Sequence, residues 1–426
     1  MRMFTGLALC AGLLISQAGS ANPGADQPLS LSAAQQRALA ASPRLAQIDA
    51  RYQAALTLPS QAATLPDPIL NIGLLSVPTD TFNLDQEAMT QLQLGISQPI
   101  PWFGKLDLAA AVAERNADAA GEALAEARNM LRRDVARSWW ALFYLDHALQ
   151  VVEENLNRLR EFNRIAQSRY RVGNGLQQDA LQAQLELSTQ LEQRVRLEGL
   201  RRSAAAQFNA LLALPGEQPV TLAPVERFTL QPLGPEQRLV ERALQHRPAI
   251  RRQQQLVEAA RERRKLAQRD LYPDLTLGAA YGYRQDAPNG LERADLVSVT
   301  LGIKLPLYGG SKQHKAVEQR GAELIAEQQA LYESQLAVRA ETLAALADYQ
   351  RAREQAELLQ QGIIPQAKQT VASMQSGYQV GKVDFNALIR AQLLVNNVQL
   401  QYWAAVRDAE QARATLIAAV GGDFDE

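Results

Sequence analysis

The side chains whose chemistry has to be placed first are three histidines, one cysteine and two carboxylates that follow glycine turns. His147, His246 and His314 are scattered, with no i, i+4 pair to offer two imidazoles to one metal ion. Cys10 is the only cysteine, so disulfides, thiolate metal sites and cysteine nucleophiles drop out of the rest of the chain. Past residue 21, methionine is confined to Met89, Met130 and Met374, which makes no ladder for soft metal ions. Gly173-Asn174-Gly175 lacks the Lys-Ser/Thr that completes a phosphate loop, and no metalloprotease or nucleophile-elbow spacing occurs. No catalytic group, cofactor or resident metal is expected. Asp179 and Asp384 remain, nine positions after Tyr170 and six after Tyr378, so on equivalent helices they lie one turn apart on one face. Such carboxylates are either solvated acids favoured by a helix dipole or a source of negative potential that selects cations at a constriction.

Long helices must carry these turns. No proline occurs between Pro101 and Pro215, and Leu131, Val135, Leu142, Leu145, Leu149, Val152, Leu156 and Leu159 keep the 3-4 spacing of a packed seam. The pattern predicts a helix over 104–170, roughly 100 Å long at 1.5 Å per residue. Its first third is rich in alanine and admits close neighbours. Val172-Gly173-Asn174-Gly175 then reverses the chain, and a second helix returns over 176–214. The plan recurs over 310–378 and 383–420 around Val380-Gly381-Lys382, with Gly362 and Pro365 predicting a kink in the outgoing helix.

That recurrence is a tandem duplication. Ala38-Leu39 with Ser42-Pro43 returns as Ala243-Leu244 with Arg247-Pro248, and Pro66-Asp67 as Pro273-Asp274. Leu94-Gly95-Ile96 with Pro99 returns as Leu301-Gly302-Ile303 with Pro306, and Tyr170-x-Val172-Gly173 with Ala183-Gln184-Leu185 as Tyr378-x-Val380-Gly381 with Ala391-Gln392-Leu393. The offsets are 205, 207, 207 and 208 positions. The chain therefore divides into repeats at 22–225 and 226–426. Each opens on helical segments, 31 to about 64 and 235–271. Each then switches to a period of two, predicting strands over 90–99, 274–284 and 295–305 with one apolar and one wet face; 67–78 is less regular and is read as a strand because it is the repeat counterpart of 274–284.

Composition bounds the class. Lys and Arg number 44 against 45 Asp and Glu, which disfavours a nucleic-acid partner, and 47% apolar residues exclude a disordered polymer. Arg2, the apolar run from Phe4 to Ile15 and the small residues Ala18 to Ala21 have the layout of a secretory signal peptide over residues 1–21. No later segment resembles a transmembrane helix, so membrane insertion would use strands. Four strands cannot close a barrel alone, and lipid does not tolerate an open edge, so the chain must oligomerise if it enters a membrane. Trp102, Phe103, Tyr272, Tyr283 and Tyr308 fall near the strand ends, either at a membrane interface or in ordinary packing.

The chain resembles the outer-membrane efflux protein family, the TolC-like channel-tunnels, over essentially its whole length past the leader. The resemblance rests on Leu29-Ser30-Leu31 leading into Ala38-Leu39 and Ser42-Pro43, on Gly95-Ile96-Ser97-Gln98-Pro99 running to Gly104-Lys105, and on both Tyr-x-Val-Gly segments. It implies a mainly α fold with a small transmembrane β part. Three copies would close one 12-stranded barrel that continues into a periplasmic α-barrel. It further implies a homotrimer in outer-membrane lipid that works as a passive duct with a periplasmic adaptor and an inner-membrane resistance-nodulation-division pump. Pro66-Asp67-Pro68, Asp85-Gln86-Glu87-Ala88-Met89, Gly362-Ile363-Ile364-Pro365-Gln366 and Gly381-Lys382-Val383-Asp384-Phe385 look most like the heavy-metal branch.

By the same resemblance the turns Val172, Gly173, Asn174, Gly175, Val380, Gly381 and Lys382 form the periplasmic tip that meets the adaptor. Asp179, Asp384, Tyr170 and Tyr378 become aperture candidates, with the tyrosines either hydrogen-bonding across the tip to hold it closed or simply packing there. The family's deeper acidic positions hold Ala387 and Arg390 here. Rival readings are a multidrug or type I protein-secretion duct and, in another class, an exported coiled-coil scaffold without a channel. The run Arg261-Glu262-Arg263-Arg264-Lys265 with Arg269-Asp270 is either a solvated helix face or a contact for phospholipid headgroups.

Overall fold

The computed structural model describes residues 28–225 and 229–422; the expected signal peptide at 1–21 lies outside them. The first repeat opens with α1 (Leu31–Ala41), α2 (Pro43–Leu56) and α3 (Leu58–Ala63). Ser30 caps α1 by accepting from the Ala33 amide at 3.2 Å, and Ser42 both ends α1 and caps α2 through the Leu45 amide at 3.3 Å. Then come β1 (Ile69–Leu75), β2 (Gln91–Ile100), the 67-residue α4 (Lys105–Arg171) and α5 (Gln177–Leu211). In the second repeat α6 (Glu236–His246), α7 (Pro248–Arg269), β3 (Asp274–Tyr283) and β4 (Leu296–Lys304) lead to α8 (Gln313–Leu358), α9 (Ile364–Gln379) and α10 (Phe385–Ala419).

Two elements differ from the sequence expectation. The helix expected over 235–271 is two helices, because Pro248 has no N–H to donate and holds Arg247 extended at φ −67°, ψ 124°. The strand expected over 67–78 is shorter at both ends. Pro66 and Pro68 precede it, and Ser76, at φ 51°, turns the backbone out of the sheet. Where Gly362 and Pro365 predict a kink the helix carries a single π turn, Leu359–Ile363, and Leu358 and Ile364 on either side keep helical angles. A π turn absorbs one extra residue, and the repeat offset rises by one, from 207 at the strands to 208 at the turns.

The four strands form one antiparallel sheet in the order β1-β2-β3-β4, so the hairpins of the two repeats join along β2 and β3. Register decides what each face carries. Ile72 pairs with Leu94, Leu94 with Tyr281 and Tyr281 with Val297; Leu277 pairs with Leu301. These residues and their alternates make one continuous exposed apolar face. The opposite face holds Asn71, Gln93, Ser97, Thr276, Ser298 and Thr300 among glycines. β1 and β4 keep one unpaired edge each.

Below the sheet α4 is the spine. Trp139, Leu142, Val152, Leu156, Leu159 and Phe162 are buried along it against α5 on one side and α10 on the other. The Trp139 indole donates to Leu29 O at 3.0 Å, and Leu29 bridges to Leu222, which ties the start of the described chain to the link between repeats.

Candidate aperture and membrane-facing surfaces

At the end far from the sheet, two helix reversals lie side by side. Gly173 and Gly381 both stand at φ 77°, a conformation that side chains bearing a Cβ rarely adopt, and each donates its amide to the carbonyl of the repeat tyrosine. The reversals differ in detail. Arg169 and Gly175 in the first repeat correspond to Gly377 and Val383 in the second. A Cβ at Gly175 would lie 2.9 Å from Arg169 Cβ, and one at Gly377 would lie 2.6 Å from Val383 Cγ2. Each tip therefore has room for one large side chain, at opposite ends of the turn.

Arg169 uses its room to join the two tips. Its guanidinium donates to Asn174 O at 3.2 and 3.1 Å from Nε and Nη2, donates from Nη1 to Tyr378 O, and lies 4.7 Å from the centre of the Tyr378 ring. Tyr378 is 4% exposed, packs against Phe385, and donates its hydroxyl to Asp179 Oδ2 at 3.1 Å. Burial first, and the adjacent Asp179 carboxylate second, push the phenol up to about 12. It is therefore a neutral donor at physiological pH. Tyr170, its repeat mate, is 47% exposed and makes no such bond among the described residues, so of the two expected cross-tip tyrosines only Tyr378 is engaged.

The two aspartates also diverge. Asp384 is the N-cap of α10 and accepts from the Ala387 amide at 2.8 Å, whereas its repeat counterpart at the start of α5 is Leu176, which has no side chain to cap with. Asp179 is the third residue inside α5 and is turned to Tyr378. Arg169 was absent from the residues expected at this site; the repeat comparison carried the signal, since glycine stands opposite it.

At the other end of α4, Lys105 is 8% exposed and reaches Asp274 Oδ1 at 2.7 Å and Asp270 Oδ1 at 3.1 Å. Burial would lower its pKa, but the two carboxylates outweigh that effect and the net shift is upward. Asp274 also accepts from the Trp102 amide at 3.0 Å. The Trp102 ring stacks on Tyr272 at 5.6 Å and 8° and meets Phe103 edge-on at 5.7 Å. Three of the five expected interface aromatics thus form one cluster at the base of the sheet. Tyr308 lies exposed after β4 at the same end, and Tyr283 ends β3 at the far end.

The family model described as outer membrane efflux protein matches residues 24–214 and 239–422, nearly all of both repeats. The chain belongs to that family. This efflux protein is 22% identical over 364 residues to the cobalt-zinc-cadmium resistance protein CzcC of Cupriavidus metallidurans, spanning 84% of this chain and 81% of that one. Among solved structures it shares the fold of the outer membrane protein VceC of Vibrio cholerae, with a TM-score of 0.77 at 20% identity over 93% of this chain and 97% of that one. It also shares the fold of CusC, with a TM-score of 0.79 at 18% identity over 92% of each chain. The efflux protein is an outer-membrane channel component: its sheet is the membrane part, and the helices below it are the periplasmic tunnel wall. The expectation of a coiled-coil scaffold without a channel is set aside by the family and by the two-faced sheet.

Proposed function

We propose that three copies of this chain form a passive exit duct for heavy-metal cations, fed by a periplasmic adaptor and an inner-membrane pump. The observation that carries the conduit is the sheet, apolar on one face, polar and glycine-rich on the other, and open at β1 and β4. Backbone groups cannot stay unpaired in hydrocarbon. Each β4 edge therefore pairs with the β1 edge of the next copy, and three sets of strands enclose a polar lumen. Cargo is supported by the likeness to CzcC, whose name states cobalt, zinc and cadmium resistance. Because the described residues hold no cluster of metal-binding side chains, ions would cross this duct hydrated.

Adaptor contact is assigned to the tip turns, where Val172 and Val380 are 68% and 69% exposed and Gly173, Asn174, Gly175, Gly381 and Lys382 flank them. Rings of Asp179 and Asp384 would favour cations at the aperture. Because Asp384 also caps a helix, the clean removal of charge is Asp384→Ser with Asp179→Asn. Bilayer conductance of that variant should show reduced preference for cations over anions; unchanged selectivity would refute the aperture reading. For cargo, a deletion strain should lose tolerance to cobalt, zinc and cadmium, and unchanged tolerance to all three would refute the metal assignment.

A further inference from the structure

At the base of the sheet the two repeats present different chemistry at the same level. Residues 261–272, which lead into β3, include Arg261, Arg263, Arg264, Lys265 and Arg269. The corresponding segment before β1, residues 54–65, has no charged residue. Both segments deliver a helix to the first strand of a hairpin, so the architecture does not require the charges.

The geometry fixes their direction. Lys105 gathers Asp270 and Asp274, and Asp274 lies in the polar register of β3 with Thr276. At about 100° per residue, Arg261 and Lys265 lie roughly 180° and 140° round α7 from Asp270, and Arg269 about 100°. All three are exposed and turned away from the Lys105 carboxylate cluster, which lies in the polar register of β3. Arg263 instead turns inward to Asn116 Oδ1 at 2.9 Å. The Arg269 guanidinium lies 5.9 Å from the centre of the Tyr272 ring, so the basic face continues directly from the aromatic cluster. Arg261 and Lys265 pair only with Glu258 and Glu262 of the same helix, and Arg269 has no carboxylate partner among the described residues.

We propose that this face binds the phosphodiester headgroups of anionic phospholipids in the periplasmic leaflet. It rests on the outer-membrane placement. Along α7, Lys265 stands about 6 Å and Arg261 about 12 Å below Arg269. A headgroup layer is roughly 6 Å deep and the Debye length about 8 Å. Arg269 and Lys265 therefore lie within the headgroups, with Arg261 inside one Debye length below. A guanidinium fork matches two phosphate oxygens at once, and an ammonium serves as a point charge beside it.

The test uses the purified full-length oligomer with phosphatidylglycerol or phosphatidylcholine, reading retained lipid by native mass spectrometry. Phosphatidylglycerol should be retained preferentially, and Arg261→Gln/Lys265→Gln/Arg269→Gln should weaken that retention at least about fivefold with unchanged single-channel conductance. Arg196→Gln/Arg202→Gln, on exposed positions of α5, should retain it fully. Equal retention of the two lipids by the natural protein, equal retention of phosphatidylglycerol by the triple variant, or loss of conductance in that variant would each overturn the proposal. A natural protein with no conductance in any lipid would instead count against the channel reading.

Discussion

The hydroxyl of Tyr378 donates to the carboxylate of Asp179 at 3.1 Å, joining residues 199 positions apart on two different helical hairpins. The bond spans the repeats, and Arg169 spans them again beside it. The tip of each chain is therefore a tied pair of reversals.

Tyr378→Phe should loosen that tie by about 1 kcal/mol, the net worth of one hydrogen bond, or about fivefold in each chain's opening equilibrium, and so raise the open probability in bilayers. The pH dependence follows from the raised phenol. A group whose folded pKa lies above its ordinary 10 contributes fully below that value and loses its contribution as pH rises through about 12. Conductance of the natural protein should thus be flat over about pH 6 to 9 and increase only above about pH 10. An increase within the neutral range that persists in Tyr378→Phe would show that another group holds the tip.

Lys105→Met should destabilise the junction between sheet and helices by about 2 kcal/mol. It leaves two carboxylates facing each other, but Asp274 and Asp270 are 33% and 52% exposed, which lowers the cost below that of a fully buried pair. Heat or urea dissociation of the assembled protein checks this. Asp270→Asn should cost less, because Lys105 keeps its shorter bond to Asp274.

Leu94 and Gln93 are neighbours in β2 on opposite faces of the sheet. Leu94→Lys should impair folding into vesicles by about 2 to 4 kcal/mol, as a lipid-facing cation near the bilayer centre does. Gln93→Lys should fold normally and lower cation conductance. Equal folding defects would mean that the two faces are assigned wrongly.

The π turn at Leu359–Ile363 makes a prediction by deletion. Removing Gln361 should convert it to ordinary α-helix and keep the phase of Tyr378, leaving its bond to Asp179 intact. Removing Thr370, inside α9, should rotate Tyr378 by about 100° and break its bond to Asp179. Single-channel recordings would distinguish the two, with raised leak only for the second.

The sequence by itself determined the duplication, the strand faces and the long helices, because these are periodic. Alternation of Leu92, Leu94 and Ile96 is a local property of the chain, and so is the heptad seam of α4. Gly362 and Pro365 marked the place of the interruption in the outgoing helix, and the π turn lies there. Tertiary structure decided what local pattern cannot. Strand order brings Asp274 to Lys105, and helix packing places Arg169 and Asp179 on the second hairpin's Tyr378. Spacing put the two aspartates one turn apart on one face, yet one caps its own helix and the other binds a tyrosine from the opposite repeat. A spacing rule assigns a face to a residue; only the packing of one hairpin against the other determines what that face meets.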